Sequence, residues 1–361
     1  KLLSRMLKMA VRFALHALTR NNVAKSRTLG SAHLFCSHSF PVLTSSQSQN
    51  SIRCYAVPAS RANIQDQERH HGPRPPRADY NKVTEADLSH FRSILSTPSS
   101  SIITDPEDTQ PYNTDWTKKY RGLSPLVLRP RSTKEVADIL SYCNSRRLAI
   151  VPQGGNTGLV AGGIPVYDEI ILSLSAMNKV ISFNETSGVL VCEAGCILEK
   201  LDDYLAEKGY MMPLDLGAKG SCQIGGNIST NAGGIRLIRY GSLHATVLGV
   251  EAVLANGTVI NSLSELRKDN TGYHLSHLFI GSEGTLGIVT AVSILTPRRP
   301  ASQTLAFFAC ESFDKIIETS IEARKDLGEI LSALEYLDQH ALKAVLKNLH
   351  GTRDPLPDTP S

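Results

Sequence analysis

The stretch Pro152-Gln153-Gly154-Gly155-Asn156-Thr157-Gly158-Leu159 (loop 1) decides the fold of this chain. It follows the apolar run from Leu148 to Val151, which predicts a buried strand. Adjacent glycines let the backbone turn sharply and approach a bulky ligand closely. Successive N–H groups in such a turn form a concave site that suits a pyrophosphate. The pattern therefore predicts a strand followed by a ligand-binding loop.

Two further loops share this composition. Loop 2 runs from Pro213-Leu214-Asp215-Leu216-Gly217 through Gly220-Ser221-Cys222-Gln223-Ile224-Gly225-Gly226-Asn227 to Thr230-Asn231-Ala232-Gly233-Gly234. Loop 3 is Gly281-Ser282-Glu283-Gly284-Thr285-Leu286-Gly287-Ile288-Val289-Thr290. The Ser and Thr hydroxyls and the Asn amides add hydrogen-bond donors without charge. A single Gly-Gly turn is often only a turn, but three such loops indicate a groove for a large ligand.

The known phosphate-binding motifs do not fit these loops. None of them matches G-x-x-x-x-G-K-[ST], which excludes a P-loop. None supplies G-x-G-x-x-G between a strand and a helix with an acidic residue beyond, which argues against a Rossmann site. The remaining interpretation is a dinucleotide, and FAD in particular, lying along a groove between two lobes.

The remaining pattern predicts alternating helices and strands. Ser132 and Glu135 form a capping-box pattern before a helix of about fourteen residues. Asn256-Gly257 lies between two apolar runs and predicts a β-hairpin. Further short strands are predicted at Ile170–Leu174, Val189–Cys192 and Gly287–Leu295, and a helix is predicted from Ile197 to Leu205. Beyond Pro297, a β-α-β-α pattern is predicted over Thr304–Cys310, Ser312–Asp326, Leu331–Leu337 and Gln339–Leu349.

The amino-terminal segment differs in composition from the rest. Residues 1–65 contain nine Lys or Arg, ten Ser and no Asp or Glu, which is typical of a mitochondrial transit peptide. In a helix, one face would carry the apolar residues Leu3, Leu7, Val11, Ala14 and Leu18. The opposite face would carry Arg5, Lys8, Arg12 and His16. The alternative is a disordered basic tail that binds nucleic acid. Residues 66–123 are expected to be a linker and an amino-terminal segment.

Bulk properties set wider limits. The 361 residues allow two domains, and a hydrophobic content of 41% with a net charge of +4 is ordinary for a globular protein. The sequence contains no run of eighteen apolar residues, so no transmembrane helix is predicted. The seven cysteines form no C-x-x-C pair, which argues against a zinc ribbon and against a disulfide framework.

The order of the loops and their amino-acid sequences resemble those of the FAD domain of the vanillyl-alcohol-oxidase and para-cresol-methylhydroxylase (PCMH) type. Within it, P-Q-G-G-N-T-G-L, P-L-D-L-G-A-K-G-S and R-Y-G-S-L-H are similar to the D-2-hydroxyglutarate dehydrogenase branch, beside the D-lactate dehydrogenases. The resemblance runs from about Ser124 to Leu349 and implies an α+β fold. Its PCMH-type FAD-binding domain would cover 124–300, with lobes near 124–190 and 191–300. The start of a ferredoxin-like cap domain, truncated, would cover 301–361.

The resemblance also implies the residues that contact FAD. These are Gly154, Gly155, Asn156, Thr157 and Gly158 in loop 1, Pro213, Leu214, Gly217, Ser221, Gly225, Gly226, Asn227, Thr230 and Gly233 in loop 2, and Gly284, Gly287, Ile288 and Val289 in loop 3. Covalent relatives carry a His after the first Gly-Gly pair. Asn156 stands at that position here, which implies noncovalent FAD.

The implied reaction is the oxidation of D-2-hydroxyglutarate to 2-oxoglutarate in the mitochondrial matrix. Electrons would pass to an acceptor such as electron-transfer flavoprotein. Relatives bind the substrate carboxylates with Arg and Lys, and a zinc ion with His and Glu, in a carboxyl-terminal half that this chain is expected to lack. We therefore assign no catalytic residue and no metal ligand.

Several residues keep two interpretations. His244 could face the flavin or be an ordinary loop histidine. The pair His274 and His277 could suggest a metal site, but no acid or cysteine accompanies the pair locally. Glu283 could act as a base, but among glycines it is expected to bond backbone N–H groups. Arg236 and Arg239 could meet an acidic substrate or the surface.

Three functional hypotheses follow. The chain could be a truncated D-2-hydroxyglutarate dehydrogenase, an FAD-binding module without turnover, or an enzyme of another branch such as a D-lactate dehydrogenase or an alkyl-glycerol-phosphate-type flavoenzyme.

Overall fold

The computed structural model describes residues 76–356, which divide after Ala301 into two compact units. The unit of residues 76–301 contains both β-sheets and all three glycine-rich loops. The expected transit peptide, residues 1–65, lies outside the described residues. Within residues 76–356, no helix has the length and apolar character needed to cross a bilayer.

The first sheet has four strands in the order β1-β2-β4-β3. They are β1 (Ile102–Ile103), β2 (Val127–Leu128), β3 (Ile150–Gln153) and β4 (Ile170–Ser173). β2 and β3 run parallel to β4, whereas β1 is antiparallel to β2. All four residues of β4 are buried, as expected for a central strand in a partly parallel sheet. Loop 1 leaves the carboxyl end of β3.

Helices surround this sheet. They are α1 (Glu85–Ile94), α2 (Pro98–Ser101), α3 (Pro106–Asn113) and α4 (Thr133–Arg146). The predicted fourteen-residue helix is confirmed as α4, and the Ser132 hydroxyl accepts the N–H of Glu135. A capping box would also need the Glu135 carboxylate to accept the N–H of Ser132. That part of the prediction is wrong, because the carboxylate accepts the N–H groups of Ser96 and Arg131 instead. Of the expected linker and amino-terminal segment, residues 66–123, the part from Glu85 onward forms helices and strands.

The second sheet is antiparallel throughout and has the order β5-β6-β9-β7-β8. Its strands are β5 (Val180–Asn184), β6 (Val189–Glu193), β7 (Val247–Val253), β8 (Val259–Asn261) and β9 (Ile288–Leu295). The predicted hairpin is confirmed between β7 and β8, with Gly257 at a φ of 85° in its turn. Positive φ favours glycine at this position.

The expected lobe boundary near residues 190 and 191 is wrong. It falls inside β6, whereas the first sheet ends at Ser173 and the second begins at Val180. An apolar run such as Val189–Cys192 indicates burial but not the sheet to which a strand belongs. Pairing with β9, about a hundred residues later in the chain, assigns β6 to the second sheet.

Short helices connect the strands of the second sheet. They are the 3₁₀ turn Leu174–Ala176, α5 (Leu198–Ala206), α6 (Ile224–Ser229), α7 (Leu237–Tyr240), α8 (Leu243–Thr246) and α9 (Ser276–Phe279). One hydrophobic core includes residues of both sheets, such as the fully buried Leu172 and Leu190. Loop 1 continues from the end of β3, and loop 3 leads into β9.

The second unit is described here over residues 302–356. It contains α10 (Phe313–Leu327) and α11 (Gln339–Asn348), so both predicted helices are confirmed. The predicted strands at 304–310 and 331–337 are wrong, because the described residues 302–356 contain no strand. An apolar run predicts burial, but a strand also needs a paired neighbour, which local sequence does not specify. The ferredoxin-like cap stays a prediction.

Candidate functional site

The three glycine-rich loops border one cavity of about 380 Å³. Fourteen of the residues expected to contact a cofactor line it: Gly154, Gly155, Asn156, Thr157, Gly158, Gly217, Gly225, Gly226, Asn227, Thr230, Gly284, Gly287, Ile288 and Val289. Sequence positions separated by more than a hundred residues thus meet at a single site.

Four expected residues are not among those that line this cavity. Pro213 and Leu214 are buried, and Leu214 belongs to the hydrophobic core. Ser221 is exposed and donates its hydroxyl to the carbonyl of Ala218, while Gly233 packs near Leu237. Burial and local bonding turn these four residues away from the cavity, although their neighbours in loop 2 line it.

Loop 1 is fixed by side chains rather than by a helix. The amide of Gln153 donates to the carbonyls of Tyr112 and Gly163, both at 2.8 Å. Asn156 adopts a left-handed φ of 52°, and its amide donates to the carbonyl of Thr114 at 2.8 Å. The Asn156 amide, expected as a ligand donor, therefore holds the loop instead.

The backbone of loop 1 is left available for a ligand. Within the described part of the chain, the N–H groups of residues 154–158 donate to no protein acceptor. These residues line the cavity. Unpaired N–H groups gathered in a tight turn form an anion-binding concavity. A phosphate group would satisfy them without any positively charged side chain.

Three glycines leave space inside the cavity. A Cβ atom added to Gly158, Gly217 or Gly226 would meet nothing within 4 Å. Gly225 behaves differently, because its added Cβ would lie 2.6 Å from the Cβ of Ala194. Gly225 therefore allows α6 to pack against the end of β6, whereas the other three keep room for a ligand.

Two buried amide oxygens on cavity-lining residues of loop 2 have no partner among the described residues. They are Oε1 of Gln223 and Oδ1 of Asn227, whose residues are 8% and 6% exposed. Both residues line the cavity. A buried acceptor without a donor is costly, so a bound donor would stabilise it. Gln223 was not singled out from the sequence, where its only signal is its place inside loop 2.

Loop 3 is attached to the end of α6. The N–H groups of Gly281 and Glu283 donate to the carbonyls of Ile228 and Ser229. Glu283 is the single charged side chain among the described residues that line the cavity. The expected bonds from backbone N–H groups to its carboxylate are not formed within residues 76–356, because Glu283 points toward Gly162 across the cavity.

Cys222 also lines the cavity. Burial raises the pKa of its thiol, and a hydrogen bond with Asn227 only partly opposes that shift. The thiolate is the reactive form of cysteine. Because Cys222 is held as a thiol, we assign it no nucleophilic role.

Three histidines cluster away from the cavity lining. The ring centroids of His244 and His277 are 5.0 Å apart, and those of His274 and His277 are 5.1 Å apart. Burial, followed by the positive charges of His244 and His274, lowers the pKa of His277. None of the three lines the cavity, and no group of three His, Cys, Asp or Glu residues within 76–356 is arranged to hold a metal ion.

The two arginines left open by the sequence differ in environment. The Arg236 side chain is 11% exposed and pairs with Asp215 and Asp202. Arg239 is exposed, and its guanidinium lies 5.5 Å from the centroid of the Tyr240 ring. Arg236 therefore belongs to the protein interior rather than to the surface.

Comparison with known proteins agrees with this geometry. Residues 124–262 match the family model described as FAD binding domain. The match covers loop 1 and loop 2, which supply most of the lining residues.

The chain is also similar to proteins of known name. A mitochondrial D-2-hydroxyglutarate dehydrogenase of Arabidopsis thaliana is 58% identical over 277 residues, covering 77% of this chain and 49% of that protein. A protein of Schizosaccharomyces pombe, named as a candidate mitochondrial D-lactate dehydrogenase, is 51% identical over 284 residues, covering 77% of this chain and 54% of that protein. The chain spans about half the length of these relatives.

A solved structure shares the fold at lower identity. It is an alkyldihydroxyacetonephosphate synthase, with a TM-score of 0.55 and 18% identity, covering 63% of this chain and 42% of that one. The likeness supports the mixed helix-and-sheet architecture.

The residues of the cavity fit FAD. The unpaired N–H groups of loop 1 suit a pyrophosphate, the open glycines leave room for a chain of carbon and oxygen atoms, and the two orphaned amide oxygens suit hydroxyl donors.

Proposed function

We propose that this chain forms the FAD-binding part of a mitochondrial dehydrogenase that oxidises D-2-hydroxyglutarate to 2-oxoglutarate. One observation carries the proposal: three glycine-rich loops, two of them inside the match to an FAD binding domain, border a single cavity whose unpaired groups suit FAD. The relative of 58% identity, named for that substrate, supports the choice of reaction.

The proposed reaction removes two electrons and two protons from the substrate. FAD, when bound, supplies this chemistry by accepting the α-hydrogen of the substrate as a hydride, while the hydroxyl proton leaves to a base. The electrons then pass to an acceptor, for which we propose electron-transfer flavoprotein in the mitochondrial matrix. We assign no residue of this chain to the base, and zinc is not part of the proposal for this chain.

The proposed role of the protein is to bind and orient the cofactor. The N–H groups of residues 154–158 bind the pyrophosphate, and the amides of Gln223 and Asn227 bind hydroxyl groups. Binding is noncovalent, because Asn156 stands where covalent relatives have a histidine and no histidine of residues 76–356 lines the cavity. Ile288 and Val289 give an apolar wall that excludes water.

A second candidate is the oxidation of D-lactate or another D-2-hydroxyacid. The relative of 51% identity, named for D-lactate, favours it. A second substrate carboxylate needs an additional cationic partner. Among the described residues that line the cavity there is no Lys or Arg, so the cavity lining does not select between the two substrates. A third candidate is FAD binding without turnover.

An absorbance spectrum of the 361-residue chain, reconstituted with FAD, tests these candidates. Flavin bands near about 450 nm that stay with the protein after gel filtration are expected, as for any bound flavin. Anaerobic D-2-hydroxyglutarate is expected to bleach them, with L-2-hydroxyglutarate as the matched control. Faster bleaching by D-lactate would favour the second candidate. Bands that no hydroxyacid bleaches would favour binding alone, and no retained flavin would contradict the proposal.

A further inference from the structure

Arg236 holds the start of loop 2 through three contacts. Its Nη1 donates to the carbonyl of Met212 at 2.7 Å. Its Nη2 lies 3.2 Å from Oδ2 of Asp215, and Nη1 lies 3.6 Å from Oδ1 of Asp202. The guanidinium is thus directed at protein groups and does not line the cavity.

Asp202, on α5, completes a ring around Met212. Its Oδ1 accepts the N–H of Met212 at 2.7 Å, and its Oδ2 pairs with Nη2 of Arg299 at 3.0 Å. Both backbone groups of the fully buried Met212 are therefore held by two side chains that also pair with each other. Such a closed arrangement limits how far the backbone of this segment can move.

The segment that this ring holds leads directly into the cavity wall. Asp215 is followed by Leu216, Gly217 and Ala218, all of which line the cavity. The carbonyl of Asp215 also accepts the N–H of Ile235, and a Cβ added to Gly234 would lie 2.1 Å from that carbonyl. The wall is thus supported at Met212 and again at Asp215.

We propose that Arg236 is a positioning residue for FAD, which sets the place of residues 216–218 against the cofactor without touching it. This inference rests on the proposed binding of FAD in the cavity. Loss of the guanidinium leaves the Asp215 carboxylate and the Met212 carbonyl without this donor, whereas Asp202 keeps Arg299 and the Met212 N–H. The two groups that lose their donor regain a protein partner only if the loop shifts. A shifted loop moves the cavity wall.

The test compares Arg236→Met with Arg299→Met in the full 361-residue chain. Arg299 pairs with the same carboxylate of Asp202 but has no contact with loop 2 among the bonds of its side chain, which makes it the matched control. FAD affinity is measured by quenching of the single tryptophan, Trp116, and the environment of the flavin by visible circular dichroism. The thermal midpoint of the apoprotein is recorded in parallel.

Arg236→Met is expected to weaken FAD binding roughly tenfold to a hundredfold, the range known for residues that orient the ligands of a metal ion. Its visible circular dichroism should change at saturating FAD. Arg299→Met should retain the wild-type affinity within about twofold. Arg236→Lys should restore binding only in part, because one ammonium cannot replace the planar fork that serves Met212 and two carboxylates.

Equal FAD affinity of wild type and Arg236→Met would overturn the inference. Equal loss in the two Met variants would also overturn it, since that result indicates general stability only. If Arg236→Met does not fold, Asp215→Asn removes one arm of the ring and should still weaken FAD binding more than Arg299→Met does. A wild-type chain that binds no FAD would contradict the proposed function itself, and the inference with it.

Discussion

A Cβ atom on Gly155 would lie 2.1 Å from the carbonyl oxygen of Ser221. The backbones of loop 1 and loop 2 therefore approach closely at Gly155, although their sequence positions are far apart. Side chains at this contact would separate the two loops. The closeness of Gly155 and Ser221 is what joins both loops into one wall of the cavity.

Gly155→Ala is therefore expected to destabilise the protein by about 1–3 kcal/mol, the usual cost of overpacking. Because backbone rather than a flexible side chain is in the way, the loops must separate, and FAD affinity should fall as well. Urea unfolding and FAD titration measure the two effects. An unchanged unfolding midpoint together with unchanged affinity would show that the two loops separate at no cost.

Gly226→Ala should have opposite effects on stability and binding. Gly226 lies within α6, where Ala is favoured over Gly by about 0.8–1.0 kcal/mol in a helix interior, and the added methyl meets no atom within 4 Å. The same methyl enters the cavity, so FAD should bind more weakly. We expect a higher thermal midpoint of the apoprotein and a larger FAD dissociation constant. If the variant had both a higher thermal midpoint and a higher affinity for FAD, FAD would have to bind away from Gly226.

Gln223→Met should weaken FAD binding about twofold to tenfold, since one hydrogen bond contributes about 0.5–1.5 kcal/mol. The apoprotein should keep its stability or gain some, because the unpartnered Oε1 is removed. Thr246→Val is the matched control: its Oγ1 is also buried without a partner among the described residues, but Thr246 does not line the cavity. Isothermal titration with FAD distinguishes them, and equal affinities of both variants would argue against a role for Gln223.

Asp87 should make the protein sensitive to acid. Burial raises the pKa of Asp87, but hydrogen bonds from Arg146, Thr84 and Tyr142 outweigh burial and hold the pKa well below its ordinary value. A carboxyl with a lowered pKa stabilises the folded state above its unfolded pKa of about 3.9, and this stabilisation is lost as pH falls further.

Asp87→Asn should therefore be less stable than wild type at neutral pH, with the gap closing below about pH 4. Urea unfolding across this pH range measures it. Asp138→Asn, which removes an exposed pair with Lys134, serves as the control. A gap of constant size at every pH would contradict the assignment.

His274→Asn should raise the pKa of His277. Burial is the first cause of the lowered pKa of His277, and the neighbouring charges of His244 and His274 add to it. The folded state thus binds this proton more weakly than the unfolded state, so stability should decline as pH falls through about 6.5. Proton NMR titration of the imidazole follows the change. His90→Asn, whose ring stacks on Tyr142 instead, should leave the His277 titration unchanged.

Local sequence predicted α4 and the β7–β8 hairpin well. Ser132 caps its helix and Gly257 occupies its turn, because capping and positive φ depend on a few adjacent residues. The prediction was wrong where a hydrogen-bond partner lies far away in the chain. The Glu135 carboxylate, for example, accepts the N–H of Ser96, a residue of the preceding segment. The bond from the Asn156 amide to the Thr114 carbonyl could not be predicted either, because Thr114 lies 42 residues earlier.

The sequence by itself determined which segments can turn tightly and present bare backbone, since glycine and the polar amides set those properties locally. Together with the resemblance to a known family, these segments predicted fourteen of the residues that line the cavity. Only the tertiary structure decided which polar groups remain available to that ligand. The Asn156 amide and Arg236 are bound to partners 42 and 24 residues away, whereas the amide oxygen of Gln223 has none among the described residues. A hydrogen bond needs its two atoms at one place, and folding alone brings distant residues together.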